Sequence, residues 1–476
     1  MLFIDGEWVP AASGRTFESH NPATGVLLGE VADAGPDDTR RAIDAASRAL
    51  GEWRRTTAYE RARLLSEAHR LMLACSEDLA QLMTAEQGKP IRMARNEVRY
   101  AADFLLWFAE EAKRTYGETI PSARRDQRFL VMRQPVGVAV AITPWNYPIS
   151  MITRKVAPAL GAGCTIVLKP AEQTPLCAVR TFEILQEAGI PNGVVNLVSA
   201  SDPEPVGEAM LDDRRVRKVS FTGSTEVGRM INARAAVDMK RVSMELGGHA
   251  PFIVFDDADP VHAAKGAVAV KLLNTGQACI CPNRLFVQRS IAEPFLATLQ
   301  ERMERLVAGS GFDDGVTVGP LIDEGAIDKM ALQVEDALSQ GARLHLGGHR
   351  LTGKGFDGGT FWAPTLLSEV SPTMRIYREE TFGPIAPVMV FDDDDEVVAM
   401  ANDTEYGLAS YIYTQNLGRA FRTAEDLDFG IIGVNDINPT SAAVPFGGIK
   451  HSGLGREGAR VGLEEYLDIK VVGMSL

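Results

Sequence analysis

Long hydrophobic runs, paired cysteines and an excess of positive charge are all missing from this sequence. No uninterrupted apolar stretch reaches the roughly 18 residues of a membrane span, and the segment from Met1 to Trp8 has no basic region followed by an apolar one. Membrane insertion and secretion are therefore not expected. Five cysteines in 476 residues (Cys75, Cys164, Cys177, Cys279, Cys281) are too sparse for a disulfide framework and odd in number, as suits a reducing, cytoplasmic setting. The 49 basic residues face 63 acidic ones, a formal charge of −14, which argues against nucleic acid or an anionic membrane as partner and favours small molecules. The seven histidines form no recognisable ligand set with any cysteine, so no metal site is expected.

What is present is ordinary globular composition, 45% hydrophobic and 24% charged, in a chain long enough for two or three domains. Residues 59 to 116 alternate apolar and charged positions at helical spacing, with Gly88 and Pro90 between two long helices. From about residue 136 the texture changes to short β-branched runs separated by helix-length segments, which predicts a parallel sheet covered on both faces. A second such series begins after Gly247 and Gly248 and predicts a second α/β domain. The acidic run Asp392 to Glu396 reads as a solvated loop entering a helix N-terminus rather than a metal site.

Several segments carry possible chemistry, each beside a plainer reading. Phe221-Thr-Gly-Ser-Thr-Glu-Val-Gly228 follows a predicted strand and opens a helix, where Gly223, Ser224 and Gly228 are placed either for a pyrophosphate or for an ordinary tight turn. The literal G-x-G-x-x-G at Gly453, Gly455 and Gly458 lies too near the C-terminus for a βαβ unit and reads as a turn in an interdomain or active-site wall. Cys279 stands in the polar loop Asn274-Thr-Gly-Gln-Ala-Cys-Ile-Cys-Pro282. A lone cysteine is usually inert, but this setting is unlike an apolar core. Glu245 ends an apolar strand before two glycines, suiting either a surface glutamate or a desolvated general base. Asn146, in Pro144-Trp-Asn-Tyr-Pro148, is either a common turn residue or an amide donor to an oxyanion.

In this order, Pro144-Trp-Asn, Lys169-Pro-Ala-Glu172, Phe221-Thr-Gly-Ser-Thr, Glu245-Leu-Gly-Gly, Gly276-Gln-Ala-Cys279, Glu380-Thr-Phe-Gly-Pro384 and Pro445-Phe-Gly-Gly448 resemble the aldehyde dehydrogenase superfamily over essentially the whole chain. The resemblance implies an α/β fold of two doubly wound parallel-sheet domains plus a small β oligomerisation arm. Residues 1–122 and 136–247 would bind the cofactor, 248–450 would form the catalytic domain, and 123–135 with 451–476 the arm of a homodimer or homotetramer. It further implies that Cys279 is the nucleophile, Glu245 the base that hydrolyses the thioester, and Asn146 the oxyanion donor. Lys169 and Glu172 would hold the adenine ribose, Trp145, Gly223, Ser224, Gly228 and Leu246 the dinucleotide around its phosphates, and Glu380 with Phe382 the nicotinamide end. A carboxylate at Glu172 accepts from a ribose diol and repels a 2′-phosphate, so NAD is expected over NADP.

Within the superfamily, Met151-Ile-Thr-Arg-Lys155, Cys279-x-Cys281 and Phe446 to Gly458 look like succinate-semialdehyde dehydrogenases. Arg154 would face the far carboxylate of the substrate. The second arginine usual in that branch is Leu273 here, and its pocket serine corresponds to Thr440, with Ser441 alongside. The expected substrate is a carboxylated semialdehyde, with another short polar (sulfonated or hydroxylated) aldehyde or an aromatic one packing on Leu273 as alternatives. A catalytically silent binding member of the fold is the alternative of another class. Cys281 is a possible redox partner for Cys279, through a strained bridge.

Overall fold

The computed structural model describes residues 1–476 and contains two large sheets, each wrapped by helices. At the heart of the first sheet lie five parallel strands, in spatial order Arg241–Glu245, Val216–Thr222, Val138–Ile142, Thr165–Lys169 and Val195–Leu197. These are the β-branched runs of the sequence, buried on both faces as parallel strands between helices must be. The N-terminal strands Leu2–Ile4 and Glu7–Val9 extend one edge in antiparallel fashion, and Gly453–Leu454 closes the other edge against Met244 and Glu245. The sheet is thus parallel only at its centre. The pairing of Gly453 with Glu245 makes the first glycine of the literal motif part of this sheet edge, packed against the backbone of Met244 and Glu245.

The second sheet has seven strands, built on Ala250–Val254, Pro282–Gln288, Ile385–Phe391, Ala409–Tyr413 and Ile431–Val434. All of its pairings are parallel except the edge strand Arg343–Leu346. The acidic run enters the helix Asp394–Asn402, whose first turn is capped by the Asp393 carboxylate accepting from the Glu396 N–H at 2.9 Å.

The helical lead-in comprises three helices after residue 57 rather than two: Ala58–Ala74, Ser76–Gln87 and Ile91–Ala112. The break at Cys75 carries no glycine or proline, so spacing alone did not mark it. A three-stranded sheet stands apart, in which Leu467–Ser475 pairs with Gln127–Pro135 and Gln127–Pro135 with Glu118–Ile120, all antiparallel. Its first strand begins before residue 123, and residues 453 to 464 belong to the body of the fold rather than to this small sheet. No helix is long and apolar enough to cross a membrane.

Candidate active site

The loop after Val138–Ile142, the loop that enters Pro282–Gln288 and the segment after Ile431–Val434 converge on one cavity of about 380 Å³. It is lined by Cys279 and Leu273 of the nucleophile loop and by Tyr147, Met151 and Arg154 around the helix Ser150–Ala162. Lys89, Glu97, Tyr100, Thr440 and Phe446 complete much of the wall.

The nucleophile loop is held in an unusual backbone shape. Asn274 and Thr275 both have positive φ, 51° and 61°, a conformation that non-glycine residues adopt only when their surroundings enforce it. Here they do. Asn274 Nδ2 donates to the Asn146 carbonyl at 2.9 Å, Thr275 Oγ1 accepts from the Gly319 N–H at 2.9 Å, and Gln277 Oε1 accepts from the Ile322 N–H at 3.0 Å. The polar character of Asn274 to Gln277, which marked the segment in the sequence, thus serves to fasten it. Asn146 is buried, donates from Nδ2 to the Gln277 carbonyl at 3.0 Å and leaves Oδ1 without a partner. The oxyanion candidate is therefore bolted to the loop of the candidate nucleophile.

Glu245 is buried at the end of its strand, and neither carboxylate oxygen has a hydrogen-bond partner. Burial pushes its pKa well above the ordinary carboxylate range. Glu457 adds to the rise, and Arg154, Lys155 and Arg456 oppose it. Glycines give it room: a Cβ at Gly447 would lie 2.6 Å from Glu245 Oε1, and one at Gly248 would lie 2.3 Å from the Cys279 carbonyl oxygen. The Glu245-Leu-Gly-Gly turn can pass against the nucleophile's backbone only because no side chain intervenes. Burial likewise raises the Cys279 thiol strongly, with Arg154 opposing and the carboxyls of Glu380 and Glu245 reinforcing the shift.

Arg154 is buried, yet its Nε and Nη1 have no hydrogen-bond partner. Only Nη2 is used, donating to the Tyr100 hydroxyl at 2.8 Å, while Nη1 lies 3.7 Å from Glu457 Oε2. The guanidinium stacks over Phe446 at 4.2 Å and Phe104 at 5.0 Å. The cavity thus has an arginine with spare donors among apolar neighbours. Leu273 and Thr440 line the same space. Ser441 does not; its hydroxyl accepts from the Ala443 N–H at 3.2 Å on the exposed side. The expectation that Ser441 lines the pocket is corrected, because the turn after Thr440 carries it outward. Cys281 is buried, and its thiol donates to the Val270 carbonyl at 3.2 Å. Burial raises its pKa to about 11.

Most of the expected dinucleotide residues lie at strand ends of the first sheet, while Glu380 and Phe382 come from the segment before Ile385–Phe391 of the second. Ser224 caps the helix Thr225–Val237 by accepting from the Val227 N–H at 3.4 Å, leaving that helix's positive end next to Gly223. A Cβ at Gly228 would meet the Leu246 side chain at 2.3 Å, so this glycine brings the helix against that residue. Lys169 is buried at its strand end, 3.5 Å from the half-exposed Glu172 carboxylate. Trp145 and Phe382 meet edge to face, their ring centres 5.6 Å apart. Glu380 Oε1 accepts from the Gly248 N–H at 2.9 Å. The buried hydroxyls of Thr222 and Thr381 have no partner. A helix N-terminus, spare hydroxyls, two separate carboxylates and an aromatic pair suit a dinucleotide with its phosphates near Ser224 and a ribose near Glu380.

The lead-in helices contribute side chains that sequence reasoning missed. Lys89 and Glu97 form a buried ion pair in the cavity wall. Lys155, also unassigned, donates to Glu457 Oε1 at 2.5 Å behind Arg154. Apart from the Lys89–Glu97 pair itself, their contacts reach across long stretches of sequence, so no local pattern announces them.

Comparison with known proteins places these features in context. The sequence model described as the aldehyde dehydrogenase family matches residues 8–472. An Escherichia coli (strain K12) protein named as an NADP(+) succinate-semialdehyde dehydrogenase is 51% identical over 474 residues, covering 99% of this chain and 97% of that one. A Pseudomonas putida protein named 3-sulfolactaldehyde dehydrogenase is 51% identical over 470 residues, covering 99% of this chain and 96% of its own. The crystal structure of an E. coli NADP-dependent enzyme superposes with a TM-score of 0.98 at 51% identity, covering 100% of this chain and 98% of that one.

Proposed function

The chain belongs to the aldehyde dehydrogenase family, and from that premise we propose that it oxidises a short anionic aldehyde, foremost a carboxylated semialdehyde such as succinate semialdehyde, to the free acid through a thioester on Cys279. Membership makes it an NAD(P)-dependent oxidoreductase acting on an aldehyde. The observation that carries the choice of substrate is Arg154, a buried cation in the cavity with two unused donors. Nη1 meets the Glu457 carboxylate only at 3.7 Å, too far for a hydrogen bond, and an aldehyde whose far end is a carboxylate would supply the guanidinium with a closer, charge-assisted contact worth about 1.5–3 kcal/mol. Leu273, Met93, Ile280 and Ile437 suit the methylenes between the two ends.

The residues divide the chemistry as follows. The Cys279 sulfur attacks the aldehyde carbon, and the oxygen gains charge where the Asn146 amide can donate. When bound, the nicotinamide supplies an acceptor for the hydride that the substrate carbon loses. Glu245 then takes a proton from the water that cleaves the thioester. Trp145, Lys169, Glu172, Ser224, Glu380 and Phe382 hold the dinucleotide.

For the cofactor, the Glu172 carboxylate favours the ribose diol of NAD. The Lys169 ammonium beside it offers a counter-charge to a 2′-phosphate, and the E. coli relative carries NADP(+) in its name. The NAD preference stands on Glu172 alone, and a higher kcat/KM with NADP overturns it. A sulfonated aldehyde is the second reading, supported by the name of the P. putida relative and by Asn96, Asn438 and Thr440 in the wall, which can meet a hydroxyl. The three-stranded sheet, with Ile469 and Val471 each more than 60% exposed, supports assembly into a dimer or tetramer. Five unpaired cysteines support a reducing, cytoplasmic setting.

The test is NADH or NADPH formation with carboxylated, sulfonated and uncharged aldehydes. Arg154→Leu should slow both aldehydes, because Cys279 and Glu245 lose the charge that opposes their upward shifts, but should lower kcat/KM for succinate semialdehyde about 10- to 100-fold more than for butanal. Equal loss for both aldehydes, or no loss, contradicts the anionic-substrate reading.

A further inference from the structure

We infer that Lys89, paired with Glu97, is a positioning residue that holds Asn146 at the reacting oxygen. The inference rests on the reading of Asn146 as the oxyanion donor. Lys89 and Glu97 are almost fully buried, and Nζ sits against Glu97 Oε2 while donating to the Asn146 carbonyl at 2.7 Å. The ammonium also lies 4.2 Å from the centre of the Tyr147 ring. Glu97 uses its other oxygen to accept from the Ile149 N–H at 3.1 Å and the Ser150 N–H at 3.2 Å. The helix Ser150–Ala162 has no side-chain cap of its own, so this carboxylate serves as its cap from a different helix. One ion pair therefore grips the loop at two points, at Asn146 and at the start of the helix that bears Arg154.

The other ties on Asn146 do not make this grip redundant. Both run to the nucleophile loop, through Asn274 Nδ2 and the Gln277 carbonyl. Lys89 fastens the same residue to the helical layer, so that Asn146 is fixed in the protein frame as well as against its neighbour. Burying an ion pair carries a desolvation cost that an apolar pair of similar volume avoids. The charge is accounted for by what it holds: a charge-assisted donor fixes a carbonyl more tightly than a neutral one. A displacement of about 1 Å at a reacting centre can cost about 100-fold in rate.

A double-mutant cycle on the full-length enzyme tests this. Asn146→Ala should lower kcat by about 100- to 1000-fold, and Lys89→Met by about 10- to 100-fold with KM for NAD unchanged. The combined variant should be no slower than Asn146→Ala alone, because Lys89 acts through Asn146. Losses that multiply in the combined variant, an undiminished kcat in Lys89→Met, or a large rise in its KM for NAD would each overturn the inference. An undiminished kcat in Asn146→Ala is a different result; it removes the oxyanion reading, and the inference falls with it. If Lys89→Met yields no folded protein, Lys89→Met with Glu97→Gln, which leaves no unpaired buried charge, replaces it in the same cycle.

Discussion

At the scale of single residues, the two groups to which the proposed chemistry gives the attack and the hydrolysis are both pushed towards their protonated forms. Burial raises Cys279 and Glu245 alike, so each holds its proton more tightly than a free side chain and becomes reactive as pH rises. Activity should therefore climb through the alkaline range, and a profile that falls above neutral pH contradicts this assignment. In Glu245→Gln the thioester should form and then persist. A rapid-mixing experiment should show a burst of reduced cofactor stoichiometric with sites, followed by a steady rate lowered about 100- to 10,000-fold. The residue types around Cys279, Glu245 and Asn146 marked these loops as candidates beside plainer readings, and the family resemblance is what gave them roles. Arg154 was legible only through family resemblance. Lys89, Glu97, Lys155 and Glu457 were not legible, since the backbone groups that Lys89 and Glu97 hold and the Lys155–Glu457 contact lie dozens to hundreds of residues apart in sequence.

At the scale of elements, two helices against the first sheet take their N-terminal caps from elsewhere. Glu97 caps Ser150–Ala162. Glu86, at the end of Ser76–Gln87, caps Pro175–Glu187 by accepting from the Leu176 N–H at 2.6 Å and the Cys177 N–H at 2.8 Å. This explains why strand and helix positions followed from local pattern while the role of the lead-in helices did not: borrowed capping leaves no trace in the helix being capped. Glu86 also titrates unusually, because burial raises it from 4.5 to about 7. The folded state then binds more protons than the unfolded one between those values, so this group's contribution to stability falls as pH rises through that window. Replacing it with glutamine removes the titration. Wild type should lose stability relative to Glu86→Gln between about pH 4.5 and 7, by up to about 3 kcal/mol; thermal melts of both proteins at several pH values check the sign.

At the scale of the whole molecule, the two large sheets were legible from alternating strand and helix texture, whereas their antiparallel edges were not, since strands as short as Leu2–Ile4 carry too little pattern. The small sheet presents Ile469 and Val471 to solvent on its outermost strand. Ile469→Glu with Val471→Glu should leave the subunit folded and reduce the assembled mass measured by sedimentation; an unchanged mass would mean that assembly runs through another surface. The order of this sheet also bears on how the protein is made. Its central strand, Gln127–Pro135, leaves the ribosome hundreds of residues before the partner on one side, Leu467–Ser475. Throughout that interval the strand offers open backbone donors and acceptors to any other nascent chain. Neighbouring ribosomes on one message are thus placed to exchange or misjoin this strand before each chain can complete its own sheet.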